Sequence, residues 1–204
     1  MIETVRWKRN NQDSLLSSKL KIIDQTKLPE ELTYIETDNA QEIYDCIKRL
    51  SVRGAPAIGC AAALGLGAVC QHSNAKTRDS FISEARKTAK YFSESIPTAV
   101  NLFWALDRCV KKIESSVLDI VYELKELLVN EGLAILDEDI NMCLKIGKYG
   151  SVLLKDSFGI LTHCNAGALA TGDFGTALSP VYEAHSKGMN LTVYSDETRP
   201  HLQG

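Results

Sequence analysis

The 204-residue sequence has no CxxC pair among its six cysteines, at 46, 60, 70, 109, 143 and 164, and no metal-ligand spacing among its histidines at 72, 163, 185 and 201. That absence argues against both a zinc site and a disulfide framework. Basic residues are not in excess either, with 23 Lys and Arg against 26 Asp and Glu and a net charge of -3, spread along the chain. Nothing there would neutralise a phosphate backbone, so nucleic acid is not expected as a direct partner. The opening MIETVRWKRN lacks an apolar signal core, and no GxxxxGK[ST] loop, internal repeat or low-complexity segment is evident. The longest apolar run, Ala55 to Cys70, consists mostly of Ala, Gly, Leu and Cys. It is too short and too small-residued to span a membrane, and reads instead as a helix packed closely by its neighbours.

What remains is ordinary globular composition, 45% hydrophobic and 24% charged, enough for one large domain or two small ones. Most cysteines fall inside apolar helical stretches, where a reduced thiol behaves as a small hydrophobe, so a cytoplasmic setting is expected.

Three segments rich in β-branched and aromatic residues, Glu3–Lys8, Lys19–Asp24 and Leu32–Thr37, predict a small antiparallel sheet. Asn39 or Asp38 is placed to cap a helix to about Val52, and amphipathic patterns follow at about 55–72, 77–95, 98–114 and 117–147. After Gly150 the pattern changes to strand (Ile160–His163), helix (Phe174–Lys187) and strand (Asn190–Tyr194), one βαβ unit of a parallel sheet. The expected class is thus α/β: residues 1–150 form a β-plus-helical domain, and 151–204 begin a Rossmann-like domain. Two strands do not make a stable doubly wound sheet, so more chain or a partner is expected.

Three stretches carry candidate chemistry. In Val52–Gly59, Gly and Pro fix a turn at a helix start with Arg53 beside backbone N–H groups. Such a turn holds a phosphate, although spacing alone favours a plain helix start with a solvated Arg. In Thr162–Gly172, Cys164 follows a strand, at the end of an open α/β sheet where ligands gather. The pattern leaves open whether it is an acid–base thiol or a buried structural one. Neighbours in an extended segment point to opposite faces, so His163 is read as structural or orienting rather than as the partner of Cys164. The third stretch, Asp196–Pro200 with Leu202–Gly204 beyond it, follows the second strand. It would face the same crevice, or be a solvated turn. His185 reads as a helix-end residue.

In this order RGAPAIG (53–59), PTAVNLFWALDR (Pro97–Arg108), THCNAGALAT (162–171) and DETRP…LQG resemble the hallmark segments of methylthioribose-1-phosphate isomerases. The openings IETVRWK and LKIIDQTKLP resemble them too, and the likeness covers this chain but only somewhat more than half of a full-length member. The wider group includes ribose-1,5-bisphosphate isomerases and regulatory subunits of a translation initiation exchange factor, with an N-terminal helical domain and a C-terminal Rossmann-like domain. The resemblance implies an aldose–ketose isomerisation of 5-methylthioribose 1-phosphate in methionine salvage. It implies a small-molecule sugar phosphate as partner and no metal or organic cofactor. Arg53, Gly54 and Ala55 would contact the phosphate or sugar, Gln203 the substrate, and Cys164 would be the catalytic thiol.

The resemblance further implies a homodimer through the C-terminal domain, or a complementary C-terminal chain. Two departures stand out. Ile96 occupies a position where members carry Arg, so a charge-assisted phosphate contact of ~1.5–3 kcal/mol is expected to be lost. The family's catalytic Asp would lie beyond Gly204. A fragment, a non-catalytic regulatory relative and a ribose-1,5-bisphosphate isomerase are the competing readings.

Overall fold

The computed structural model describes residues 3–10, 14–199 and 202. Strands β1 (Val5–Arg9), β2 (Ser18–Ile23) and β3 (Tyr34–Thr37) form an antiparallel sheet in that order, with Val5 opposite Ile22 and Leu20 opposite Thr37. Its alternation turns Val5, Leu20 and Ile22 into the core.

Five helices follow: α1 (Ala40–Lys48), α2 (Ala55–Cys70), α3 (Arg78–Ser93), α4 (Val100–Glu114) and α5 (Val121–Gly150). Asn39 caps α1 by accepting from the Glu42 N–H, and Thr77 with Ser80 closes a capping box on α3. By contrast α2 and α4 start at Gly54 and Ala99 without a side-chain cap or an acidic residue in the first turn.

The apolar run forms α2, with 13 of its 16 residues buried, at the centre of the bundle. Small residues are what admit it there. A Cβ on Gly132 of α5 would lie 3.1 Å from the Ala63 carbonyl oxygen, so α5 crosses α2 almost backbone to backbone. Phe81, Phe92, Leu64, Leu102, Ile113 and Leu124 close the core around it, each contributing ~1.5–3 kcal/mol by leaving water.

Beyond α5 come β4 (Gly159–Thr162), α6 (Ser179–Ser186) and β5 (Thr192–Ser195), with β4 and β5 parallel and Thr162 opposite Ser195. The fold is therefore α/β, a small antiparallel sheet and helical bundle followed by one βαβ unit. The helix is shorter than its sequence pattern suggests. Phe174 and Gly175 have φ of 62° and 81°, left-handed backbone that ends any helix, so 174–178 is a turn and Pro180 opens α6. The unit docks on the last turns of α5, where the Ser179 hydroxyl donates to the Cys143 carbonyl at 2.7 Å. Among the described residues no helix is long and apolar enough to cross a membrane.

Candidate active site

The start of α2 is assembled from below by the residues that follow β2. Asp24 accepts hydrogen bonds from the Ser51 hydroxyl (2.9 Å) and from the Thr26 hydroxyl and N–H, while the Gln25 N–H donates to the Ser51 carbonyl at 2.9 Å. Burial pushes the Asp24 carboxyl up, but the Thr26 and Ser51 hydrogen bonds outweigh it and hold the group below the usual aspartate range. These bonds fix the segment that leads into Arg53.

Arg53 is buried, at 6% exposure, which excludes the solvated reading. Its guanidinium donates to the Gln25 carbonyl at 2.9 Å and to Gln25 Oε1 at 3.3 Å, and burial lowers its pKa. Gln25 in turn donates Nε2 to the Leu169 carbonyl at 2.8 Å. One glutamine thus ties the Arg53 turn to the loop that carries Cys164. Gly54, at φ 88°, presses on the same loop, since a Cβ there would lie 2.4 Å from the Cα and carbonyl oxygen of Ala170. Ala55 is exposed at the first position of α2.

The loop is held at further points. The Thr4 hydroxyl donates to the Ala168 carbonyl at 2.9 Å. The peptide preceding Gly172 and the one following it are both gripped: the Gly172 N–H donates to Asp139 Oδ2 at 2.6 Å, and its carbonyl accepts from Arg6 at 2.7 Å. Arg6 also pairs with Asp173 at 2.8 Å. Burial raises the Asp139 pKa against the pull of the Gly172 hydrogen bond.

Cys164 lies at the carboxyl end of β4 and is exposed, whereas the other five cysteines are buried. Burial pushes the thiols of Cys46 and Cys143 up to about 11 and those of Cys70 and Cys109 up to about 12. The expectation of an extended His163–Cys164 pair is corrected, because Cys164 has φ 68° and the chain has already left the strand. His163 is exposed and its Nδ1 pairs with Asp196, which begins the loop after β5. The loops beyond the two strands therefore meet at their tips. Gln203 lies outside the described residues, as do Pro200, His201 and Gly204 of the third stretch. Ile96 packs against the core.

Beside the α2 start, a cleft of about 460 Å³ opens between α2, α4 and α5. Pro56, Val100, Trp104 and Met142 give it apolar walls, and Asn101, Glu138 and Asp139 add polar groups. Arg108 lies 5.5 Å from the Trp104 ring centre and donates to Glu138 at 2.5 and 2.7 Å and to Glu131 at 2.6 Å. Those bonds raise the pKa of Arg108 and hold Glu138 below its usual range. Among the described residues no group of three or more His, Cys, Asp and Glu is placed to hold a metal ion.

Sequence reasoning reaches Arg53, Gly54, Ala55 and Cys164 but not the residues that support them. Asp24 and Gln25 stand in the LKIIDQTKLP segment, where two polar residues close a strand, a signal that was available. Asp139 is one acid among several on an amphipathic helix and gives none.

A protein from Moorella thermoacetica named 5-deoxyribose 1-phosphate isomerase is 51% identical over 186 residues, covering 91% of this chain and 53% of that protein. The crystal structure of 5-methylthioribose 1-phosphate isomerase from Pyrococcus horikoshii matches with a TM-score of 0.89 and 40% identity, over 100% of this chain and 55% of that one. The A. fulgidus structure described as translation initiation factor eIF-2B, subunit delta, matches with a TM-score of 0.86 and 39% identity, over 100% of this chain and 57% of that one. The chain spans about half the length of the relatives it matches. With the model of the initiation factor 2 subunit family matching residues 51–204, from the Arg53 turn through the Cys164 loop, the chain belongs to that family.

Proposed function

We propose that this chain is the N-terminal portion of an aldose–ketose isomerase acting on a ribose 1-phosphate that carries an uncharged 5-substituent, with 5-methylthioribose 1-phosphate as the first substrate to test. The observation that carries the reading is the backbone contact of Gly54 with Ala170, which joins the phosphate-type turn to the loop bearing the exposed thiol. On this reading residues 1–150 are an N-terminal domain and 151–204 begin a Rossmann-like catalytic domain. The phosphate lies at exposed Ala55, where a helix start favours an anion and the buried Arg53 charge lies beneath. Gln203 contacts the substrate. Cys164 exchanges a proton with it at the β4 tip.

The reaction needs a proton on the ring oxygen to open the sugar. C2 then becomes the ketone as its hydrogen passes to C1, which keeps its phosphate ester, and the C2 hydroxyl gives up its proton, balancing the one taken up at ring opening. The relatives named for 5-deoxyribose and 5-methylthioribose phosphates share an apolar group at C5, which supports that substrate class. A homodimer of the whole protein is part of the same proposal.

A second reading, a non-catalytic regulatory subunit, is favoured by Ile96, half-buried against the core, and by the likeness to the A. fulgidus protein. The test is an isomerase assay on the chain alone and combined with the C-terminal portion of a relative, with Cys164→Ser as control. Turnover by the combined chains that Cys164→Ser abolishes is expected. Tight binding without turnover would move the assignment to the regulatory reading.

A further inference from the structure

The cleft beside the α2 start is chemically lopsided. Its apolar walls come from three helices, with Pro56 on α2, Val100 and Trp104 on α4, and Met142 on α5. Its carboxylates, Glu138 and Asp139, both come from α5. The cation beside them, Arg108, is matched by Glu138 and Glu131, so its charge is already committed. Pro56 of the lining directly follows Ala55, so the cleft begins one residue beyond the turn proposed to hold the phosphate.

We propose that this cleft receives the 5-substituent of the sugar phosphate, and that Trp104 and Met142 set a preference for methylthio or methyl over hydroxyl or phosphate at that carbon. This rests on the isomerase reading and adds to it the feature that selects the substrate. A methylthio group finds an indole and a thioether, polarizable surfaces that favour sulfur and methyl contacts. A 5-hydroxyl would exchange water for carbon. A 5-phosphate would set a second dianion beside the Asp139 carboxylate, with Glu138 already paired to Arg108 and no cation among the cleft-lining residues, so rejection is built from repulsion as well as from fit. Trp104 and Met142 are 50% and 60% exposed, so both are open to a ligand and to replacement without disturbing the core.

Calorimetric titration of the chain combined with the C-terminal portion of a relative tests this, with 5-methylthioribose 1-phosphate, ribose 1-phosphate and ribose 1,5-bisphosphate as ligands and wild type, Trp104→Ala and Met142→Arg as variants. Wild type is expected to bind the methylthio sugar at least about tenfold more tightly than ribose 1-phosphate, the size of a methyl-group discrimination in an apolar pocket. Trp104→Ala should carry that ratio towards one by losing affinity for the methylthio sugar alone, and Met142→Arg should raise affinity for the bisphosphate. Equal losses for all three ligands in Trp104→Ala, or a wild type that prefers the bisphosphate, would overturn the subsite while leaving the isomerase reading intact. Failure of wild type to bind any of the three would overturn both.

Discussion

Gly54 and Ala170 meet backbone to backbone across 116 residues of sequence, with no room between them for a single methyl group. The contact makes the entry to α2 and the Cys164 loop one surface, and it depends on a residue that has no side chain and tolerates φ 88°.

Gly54→Ala is therefore expected to cost at least ~2 kcal/mol in urea unfolding, through strain and collision together. Gly188→Ala is the control. It shares a φ of 86° but has nothing within 4 Å of the added carbon, so its cost should stay near 1 kcal/mol. Equal losses would mean that the Ala170 contact contributes nothing.

Alkylation in the native state should stop at one thiol. Cys164 alone of the six cysteines is exposed, and burial raises the pKa of the other five. Mass spectrometry after brief iodoacetamide treatment should find a single adduct on Cys164, and six adducts after denaturation. Rapid labelling of Cys143 or Cys60 in the folded chain would contradict the burial described here.

Asp24 should make the chain acid-sensitive. Its folded pKa lies below the usual value of about 3.9, so its contribution is present above that value and is lost as pH falls through the folded one. Asp24→Asn should lower stability at pH 7 by ~1–3 kcal/mol and flatten the pH dependence below about pH 4. An unchanged slope in urea titrations from pH 5 to pH 3 would argue against it.

Asp139 and Arg6 grip opposite ends of the same residue, so their losses should not add. Removing the carboxylate orphans the Gly172 N–H at a cost of ~1–3 kcal/mol, and amide exchange at Gly172 should accelerate in Asp139→Ala. A double-mutant cycle with Arg6→Ala is expected to show coupling of at least ~0.5 kcal/mol; strict additivity would mean that each bond acts alone.

Self-association of the isolated chain is the fifth expectation. Leu161 and Tyr194 are 78% and 59% exposed on the short parallel sheet, a carbon-rich surface of the sort that soluble proteins cover. Sizing chromatography should show concentration-dependent species larger than 22.5 kDa. A sharp monomer peak at all concentrations, with cooperative melting, would count against it.

Much of this architecture was legible because it is local. Asn39 before an apolar periodicity gave the start of α1, and the turn to β-branched residues after Gly150 gave β4 and β5. Strand-end logic placed Cys164 where it is found. The rest was not legible for physical reasons. Burial of Arg53 is decided by Gln25, 28 residues away, and spacing around the Arg carries no trace of it. The turn at Phe174 is a different case, because Gly172-Asp173-Phe174-Gly175 and the later Ser179-Pro180 are local turn and helix-start signals that the longer helical reading passed over. Asp139 differs from its acidic neighbours only in what it touches.

The 30-residue helix α5 belongs to two cores at once, lining the cleft in its middle and receiving α6 on its last turns. At 1.5 Å per residue it is a rod of about 45 Å, completed before any of the βαβ unit has been synthesised. A chain emerging N-terminus first thus finishes the platform before the part that rests on it. The Cys164 loop then folds against a surface already in place, and the order of translation becomes the order of assembly of the site.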